Sequence, residues 1–143
     1  PQDRSSAASD VYKRQRLMSE TSIEKLLELM RQLRDPDNGC EWDKKQTFES
    51  LLPYLDEEAK EVAEAIKNKD YINLKEELGD LLLQIIFHSE IAKEKKLFSF
   101  NDVINTLSEK LIRRHPYVFD FKRKHTASEQ AKMWKQIKDE EKK

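Results

Sequence analysis

Six acidic side chains fall into two matching sets: Glu57, Glu58 and Glu61 in LDEEAKEVAEAI, and Glu76, Glu77 and Asp80 in LKEELGDLLLQI. Residues three apart share a helix face, so Glu58 with Glu61 and Glu77 with Asp80 form two ready-made pairs of oxygen ligands. Carboxylates gathered at short range repel and raise one another's pKa, and a cation must offset that. Hard divalent ions take oxygen ligands, and Mg²⁺ in particular is held by a few carboxylates together with water and substrate phosphate. The chemistry on offer is activation of water by a metal held between two helices. Either set alone would pass for a solvated face in a charge-rich chain. Their repetition in the same phase argues for a site.

Other chemistries find less support. A di-iron bundle needs Glu-x-x-His, yet Ile85, Ile112 and Lys122 stand three residues before His88, His115 and His125. The sequence has no P-loop glycine pattern and no Gly-x-Ser-x-Gly elbow. The single cysteine, Cys40, offers neither a disulfide partner nor an evident covalent mechanism.

The elements that must position the carboxylates are helices. Two glycines and four prolines punctuate 143 residues otherwise rich in Glu, Lys and Leu. A capping box at Thr21 and Glu24 opens a first helix with Ile23, Leu26, Leu27, Met30 and Leu33 in register, stopped by DPDNG. GCEWDKKQTF reads as irregular. A second helix is expected over about Leu51 to Lys67 and a third starting at Asp70 or one of its neighbours and reaching toward Lys96. A cap at Ser99 or Asn101 starts a fourth, ended by His115-Pro116, and Thr126 with Glu129 caps a last helix carrying Met133, Trp134 and Ile137. No period-two alternation suggests a strand. The expected fold is all-α: a helical bundle built around an antiparallel four-helix core, with an additional C-terminal helix.

On the second and third helices, Leu55, Ala59, Val62, Ala63 and Ile66 occupy the same arc as Leu74, Leu78, Leu81, Leu82 and Ile85. These arcs should pack core to core, with the acids in an adjoining arc that an antiparallel hairpin brings together. Gly79 costs about 1 kcal/mol relative to Ala inside a helix, which either close backbone packing or a role at the site would explain. Leu83, Ile86 and Phe87 lie off the core arc of the third helix, so a homo-oligomer, dimer or tetramer, is expected through that helix.

The length fits a single domain, placed at residues 19–143, with 1–18 read as a non-native or disordered leader and Met18 as a plausible start. Charged residues make up 38 % of the chain yet nearly cancel to −1, which argues against a nucleic-acid or membrane partner. No apolar run approaches the roughly 20 residues of a membrane span. With one cysteine, a reducing cytoplasmic setting fits best.

Glu57-Glu58-x-x-Glu61 followed by Glu77-x-x-Asp80 resembles the signature of the MazG family of nucleoside triphosphate pyrophosphohydrolases. LRDPDNGCEWDKKQTFESLLPYLDEEAKEV, KEELGDLLLQIIFHSEIA, SEKLIRRHPYVF and WKQIKDEE are similar to MazG segments in the same order, over roughly Ile23 to Lys142. The family often has Pro, His and His where Glu41, Phe48 and Tyr117 stand here. The resemblance implies Mg²⁺-dependent hydrolysis of a nucleoside triphosphate to monophosphate and pyrophosphate, with Mn²⁺ as a substitute ion. It makes Glu58, Glu61, Glu77 and Asp80 the metal ligands and Glu57 and Glu76 candidates for orienting water or supporting the ligands. It places phosphate-contacting cations at Lys110, Arg114 and Lys138, with Trp134 beside them. Helical spacing puts Lys110 with Arg114, and Trp134 with Lys138, on shared faces. Trp42 either stacks on a base or is simply buried, and Gln46 either reads a base edge or caps local backbone. Two alternatives stay open: a pyrophosphohydrolase narrow for dUTP, dCTP or phosphoribosyl-ATP, and a non-enzymatic nucleic-acid- or protein-binding module using Lys122, Arg123 and Lys124.

Overall fold

The computed structural model describes residues 8–15, 22–120 and 124–143, and among them every regular element is helical. They form two compact units, one ending at Leu97 and the other beginning at Phe98. No helix among the described residues is long and apolar enough to cross a membrane.

In the first unit, α1 covers residues 8–15 and is exposed along its length. Helix α2 (Ile23–Leu33) starts at Ser22, whose hydroxyl accepts from the Lys25 N–H at 3.3 Å. Thr21 of the expected capping box lies outside the described residues. The DPDNG stop is a turn in which Asp35 Oδ1 accepts from the N–H groups of Asp37 and Asn38, each at 2.9 Å. Gly39 is needed there because a Cβ would collide with the carbonyl oxygens of Leu33 and Asp35. The segment expected to be irregular contains a short helix, α3 (Glu41–Lys45), too brief to show a period.

Helix α4 (Leu52–Lys67) opens with Pro53 in its first turn, where a missing N–H costs nothing. Helix α5 (Tyr71–Glu94) is capped by Asp70, which accepts from the Asn73 N–H at 3.2 Å. Three residues link the two helices and they pack along one another as a hairpin. Both end the same way. Lys69 (φ 55°) and Lys96 (φ 60°) take the left-handed conformation, and the next N–H groups, of Asp70 and Leu97, return to the carbonyls of Ala65 and Ala92 at 3.0 and 2.9 Å.

The core of this unit is Met30, Leu51, Ala65, Ile86, Phe87, Ile91 and Ala92. This corrects the expected arcs. Ala59, Ala63 and Ile66 of α4 and Leu78 and Ile85 of α5 are exposed, while Ile86 and Phe87, expected to face outward, are buried. The reason is a third packing partner: α5 is apolar on several sides and also receives α2 and the 41–51 segment, so its buried face turns toward them. An apolar cavity of about 250 Å³, lined by Leu26, Met30, Leu33, Gly79, Leu83 and Ile86, lies between α2 and α5. A Cβ on Gly79 would meet nothing within 4 Å, so close packing inside the chain does not explain that glycine.

The second unit holds α6 (Phe100–Arg114), α7 (Pro116–Phe119) and α8 (Ala127–Glu141). Capping boxes at Ser99/Asp102 and Thr126/Glu129 start α6 and α8. The helical turn of α7 follows the expected stop at His115-Pro116, with Pro116 itself in its first turn. Glu141 on α8 binds Arg113 at 2.7 Å and Arg114 at 2.9 Å on α6, joining the two helices where no side chain of either is fully buried. Of the proposed basic cluster, Lys122 and Arg123 lie outside the described residues and Lys124 is exposed.

Candidate active site

The α4–α5 hairpin brings the two ligand pairs together. One carboxylate oxygen from each of Glu58, Glu61, Glu77 and Asp80 lies within 4.8 Å of all the others. Helical spacing aligns each pair along its own helix, and the hairpin then sets the pairs face to face. Glu58 is not set aside from the packed face, where the sequence placed the acids in an adjoining arc. Leu51, Leu55, Glu58, Val62 and Ala65 run down the shielded side of α4, so Glu58 belongs to the packed stripe itself, with Glu61 beside it. Only Asp80 of the four is exposed.

Electrostatics follow from that placement. Burial pushes the Glu58 carboxyl up to about 7, helped by the adjacent carboxyl of Glu61 and by Asp80 and Glu77. Glu77 is raised chiefly by the Glu61 carboxyl, close enough to share a proton with it, and then by burial. One oxygen on each of Glu58 and Glu77, Oε2 in both, is buried without a hydrogen-bond partner. Four convergent carboxylates, with a buried unpaired oxygen and a raised pKa on Glu58 and Glu77, suit a hard divalent cation, whose positive charge offsets their mutual repulsion. Glu57 and Glu76, offered as water-orienting groups, are exposed and outside the four-carboxylate cluster.

Further along α5, seven residues beyond Asp80, stands an aromatic cluster. Phe87 meets the Trp42 ring edge-on at 6.3 Å between centroids, and Tyr54 of α4 meets the same ring edge-on at 5.6 Å. Trp42 remains 48 % exposed, so it is not simply buried. Gln46 caps local structure: its Nε2 donates to the Trp42 carbonyl at 2.8 Å and its Oε1 accepts from Ser50 Oγ at 2.7 Å. Tyr54 was not anticipated, and nothing in its spacing distinguishes it from an ordinary surface tyrosine.

The second unit holds the basic candidates. Trp134 on α8 carries Lys138 Nζ at 4.7 Å from its ring centroid and the Arg114 guanidinium at 5.6 Å, a cation–π arrangement uniting three of the four expected residues. Glu141 binds Arg114 and Arg113 and is itself held down to about 2 by them. Lys110, one turn before Arg114 on α6, is half-buried. The role of Glu141 was missed because a pairing across 27 positions leaves no local pattern.

With this geometry in hand, comparisons with known proteins give a consistent result. A family model described as the MazG nucleotide pyrophosphohydrolase domain matches residues 46–119. A nucleoside triphosphate pyrophosphohydrolase of Escherichia coli (strain K12) is 49 % identical over 119 residues, covering 83 % of this chain and 45 % of that protein. A nucleoside triphosphate pyrophosphohydrolase/pyrophosphatase MazG of Thermotoga maritima is 52 % identical over 127 residues, covering 87 % and 48 %. The chain spans about half the length of these curated relatives. Among solved structures, the crystal structure of a mazG-related protein from Thermotoga maritima superposes with a TM-score of 0.69 at 36 % identity, covering 82 % of this chain and 99 % of that one.

Proposed function

Because the chain belongs to the MazG nucleotide pyrophosphohydrolase family, we propose that it hydrolyses nucleoside triphosphates to the monophosphate and pyrophosphate with Mg²⁺ as its metal. The observation that carries this reading is the convergence of Glu58, Glu61, Glu77 and Asp80, with buried carboxylate oxygens that no protein group satisfies. A divalent ion bound there supplies positive charge against the triphosphate and acidifies water.

The protein's own groups then have separable roles. Glu58, Glu61, Glu77 and Asp80 hold the ion. Glu57 and Glu76, open to solvent on the same helices, orient the attacking water. Lys110, Arg114 and Lys138 neutralise phosphate charge, and Arg114 is the best prepared because Glu141 and Trp134 fix its guanidinium. Trp42 offers its exposed ring to the base. The family match runs across the boundary between the two units, which supports one functional domain over 19–143. A cytoplasmic setting and a homo-oligomer through α5 belong to the same proposal, supported by free, exposed Cys40 and by exposed Leu78, Leu83 and Ile85.

The test is product analysis by chromatography with each common NTP and dNTP, in Mg²⁺ and in excess EDTA, beside Glu58→Gln. Monophosphate and pyrophosphate should form only with metal, and the variant should lose roughly a hundredfold or more in rate. Cleavage that persists in EDTA, or none with any nucleotide, would overturn the proposal.

A further inference from the structure

Gln84 stands on α5 one turn beyond Asp80, is only 6 % exposed, and its Oε1 is buried without a hydrogen-bond partner. Four residues further on, His88 stacks on Phe48 at 5.8 Å between ring centroids, and its Nε2 is likewise buried and unpartnered. Buried amides are ordinarily paired, and leaving one unpaired costs stability. Leu or Met would fill the position without that cost, so packing alone does not explain a glutamine here.

Its place along the helix indicates a partner. Glu77 and Asp80 face the carboxylate cluster on one side of Gln84, and Phe87 carries the exposed Trp42 on the other. At 1.5 Å per residue, Asp80 to Phe87 spans about 10 Å of helix, comparable to the distance from the outer phosphates of a nucleotide to its base. A triphosphate anchored through metal at the carboxylates, with its base against Trp42, passes its sugar and the near edge of its base along Gln84. That part of the substrate is uncharged and carries O–H and N–H donors. An amide recognises such groups without adding charge beside four carboxylates.

We propose that Gln84 is a nucleoside-contact residue whose amide oxygen accepts a hydrogen bond from a sugar hydroxyl or base N–H of the bound nucleotide. This rests on the pyrophosphohydrolase reading and adds to it a specificity-determining group that touches the nucleoside and leaves the phosphates alone.

The experiment uses the full chain and its Gln84→Met and Gln84→Leu variants at saturating Mg²⁺. KM and kcat are measured for the best wild-type nucleotide, for its 2′-deoxy and 3′-deoxy forms, and for an analogue lacking a base N–H. Inorganic triphosphate serves as a competitive inhibitor without a nucleoside. KM should rise about tenfold or more with kcat within about threefold, and the inhibition constant of inorganic triphosphate should not move. The analogue lacking the contacted hydrogen should bind wild type and variants alike, which identifies sugar or base as the donor. Thermal midpoints of the ligand-free variants should not fall, and either variant suffices if the other folds poorly.

An unchanged KM, a parallel rise in KM and in the triphosphate inhibition constant, or lowered thermal midpoints in both variants would overturn the assignment while leaving the pyrophosphohydrolase reading intact. Absence of nucleotide cleavage by the wild type would overturn both.

Discussion

Arg34 grips both carboxylate oxygens of Glu94, Nε at 2.6 Å and Nη2 at 2.9 Å, tying the end of α2 to the last turn of α5. Its Nη1 donates to the carbonyls of Asp43 and Gln46 at 2.6 and 3.2 Å, and its guanidinium lies 5.6 Å from the centre of the Phe87 ring. One side chain thus fixes the segment that carries Trp42. The Arg34 side chain is 9 % exposed and that of Glu94 41 %, so solvent screens the ion pair and its own contribution is about 1 kcal/mol or less. The two carbonyls that would lose a charged donor matter more. We predict that Arg34→Met lowers unfolding free energy by about 2–3 kcal/mol in urea titration and Glu94→Gln by under about 1 kcal/mol. Arg34→Lys should resemble Met, because an ammonium lacks the planar fork. Equal losses in Arg34→Met and Glu94→Gln would shift the weight to the ion pair.

Metal and pH should be linked through the carboxylate cluster. Glu58 rises from 4.5 to about 7, by burial first and then by its acidic neighbours, and Glu77 also rises. A carboxyl raised in the folded state stabilises the fold fully below its unfolded pKa, and that contribution is lost as pH climbs through the folded value. In EDTA the thermal midpoint should therefore fall between pH 5 and pH 8. Millimolar Mg²⁺ should flatten the slope by taking the place of the proton, and Glu58→Gln should remove much of it. Glu28 and Glu141, held down to about 2 by Arg31 and by Arg114 with Arg113, affect stability only at lower pH, where their contribution is lost on acidification. A flat profile in EDTA from pH 5 to 8 would contradict the raised carboxyls of Glu58 and Glu77.

Arg114 and Lys138 share the Trp134 ring, but only Arg114 is also held by Glu141. Removal of a positioned phosphate cation costs more than removal of a mobile one. Arg114→Ala should lower kcat/KM by about a hundredfold, Lys138→Ala by about tenfold, and Glu141→Gln by a few fold as the guanidinium loses its anchor. Steady-state kinetics on the best nucleotide measures all three. An Arg114→Ala enzyme within twofold of wild type would remove this residue from the site.

Exposed Leu78, Leu83 and Ile85 on one helix call for a covering surface, and the proposed oligomer supplies it. Leu83→Glu should shift the species seen by sedimentation velocity toward the monomer at micromolar protein. A wild type that sediments as a monomer at every concentration would remove the oligomer from the proposal.

Local pattern made much of this molecule legible. The cap at Thr126 and the stop at DPDNG were readable, and the cap at Ser99 narrowed to one of two residues, because a cap is written in four consecutive residues. The pairing of Glu58 and Glu61 with Glu77 and Asp80 was readable because helical phase is a property of one strand of sequence, and a three-residue link forces the two helices back on each other. The family resemblance then implies phosphate-contacting roles for Lys110, Arg114 and Lys138, which remain proposals that charge and spacing alone leave ambiguous.

Which side of α5 is buried was decided only in three dimensions. From Leu74 to Ile91 that helix presents apolar residues on most of its circumference, so periodicity has no single answer, and the packing of α2 and the 41–51 segment chooses Ile86 and Phe87 over Leu78 and Ile85. The same choice draws Glu58 into the packed stripe of α4, leaves the Gln84 Oε1 buried without a partner, and turns Gln46 to local backbone. Sequence alone determined the long helices and the phase of the acids, because both depend on neighbours within a turn or two, whereas the short α3 and the helical 8–15 segment left no such pattern. Burial depends on what arrives from elsewhere in the chain, so only the tertiary structure decided which polar groups lost their water.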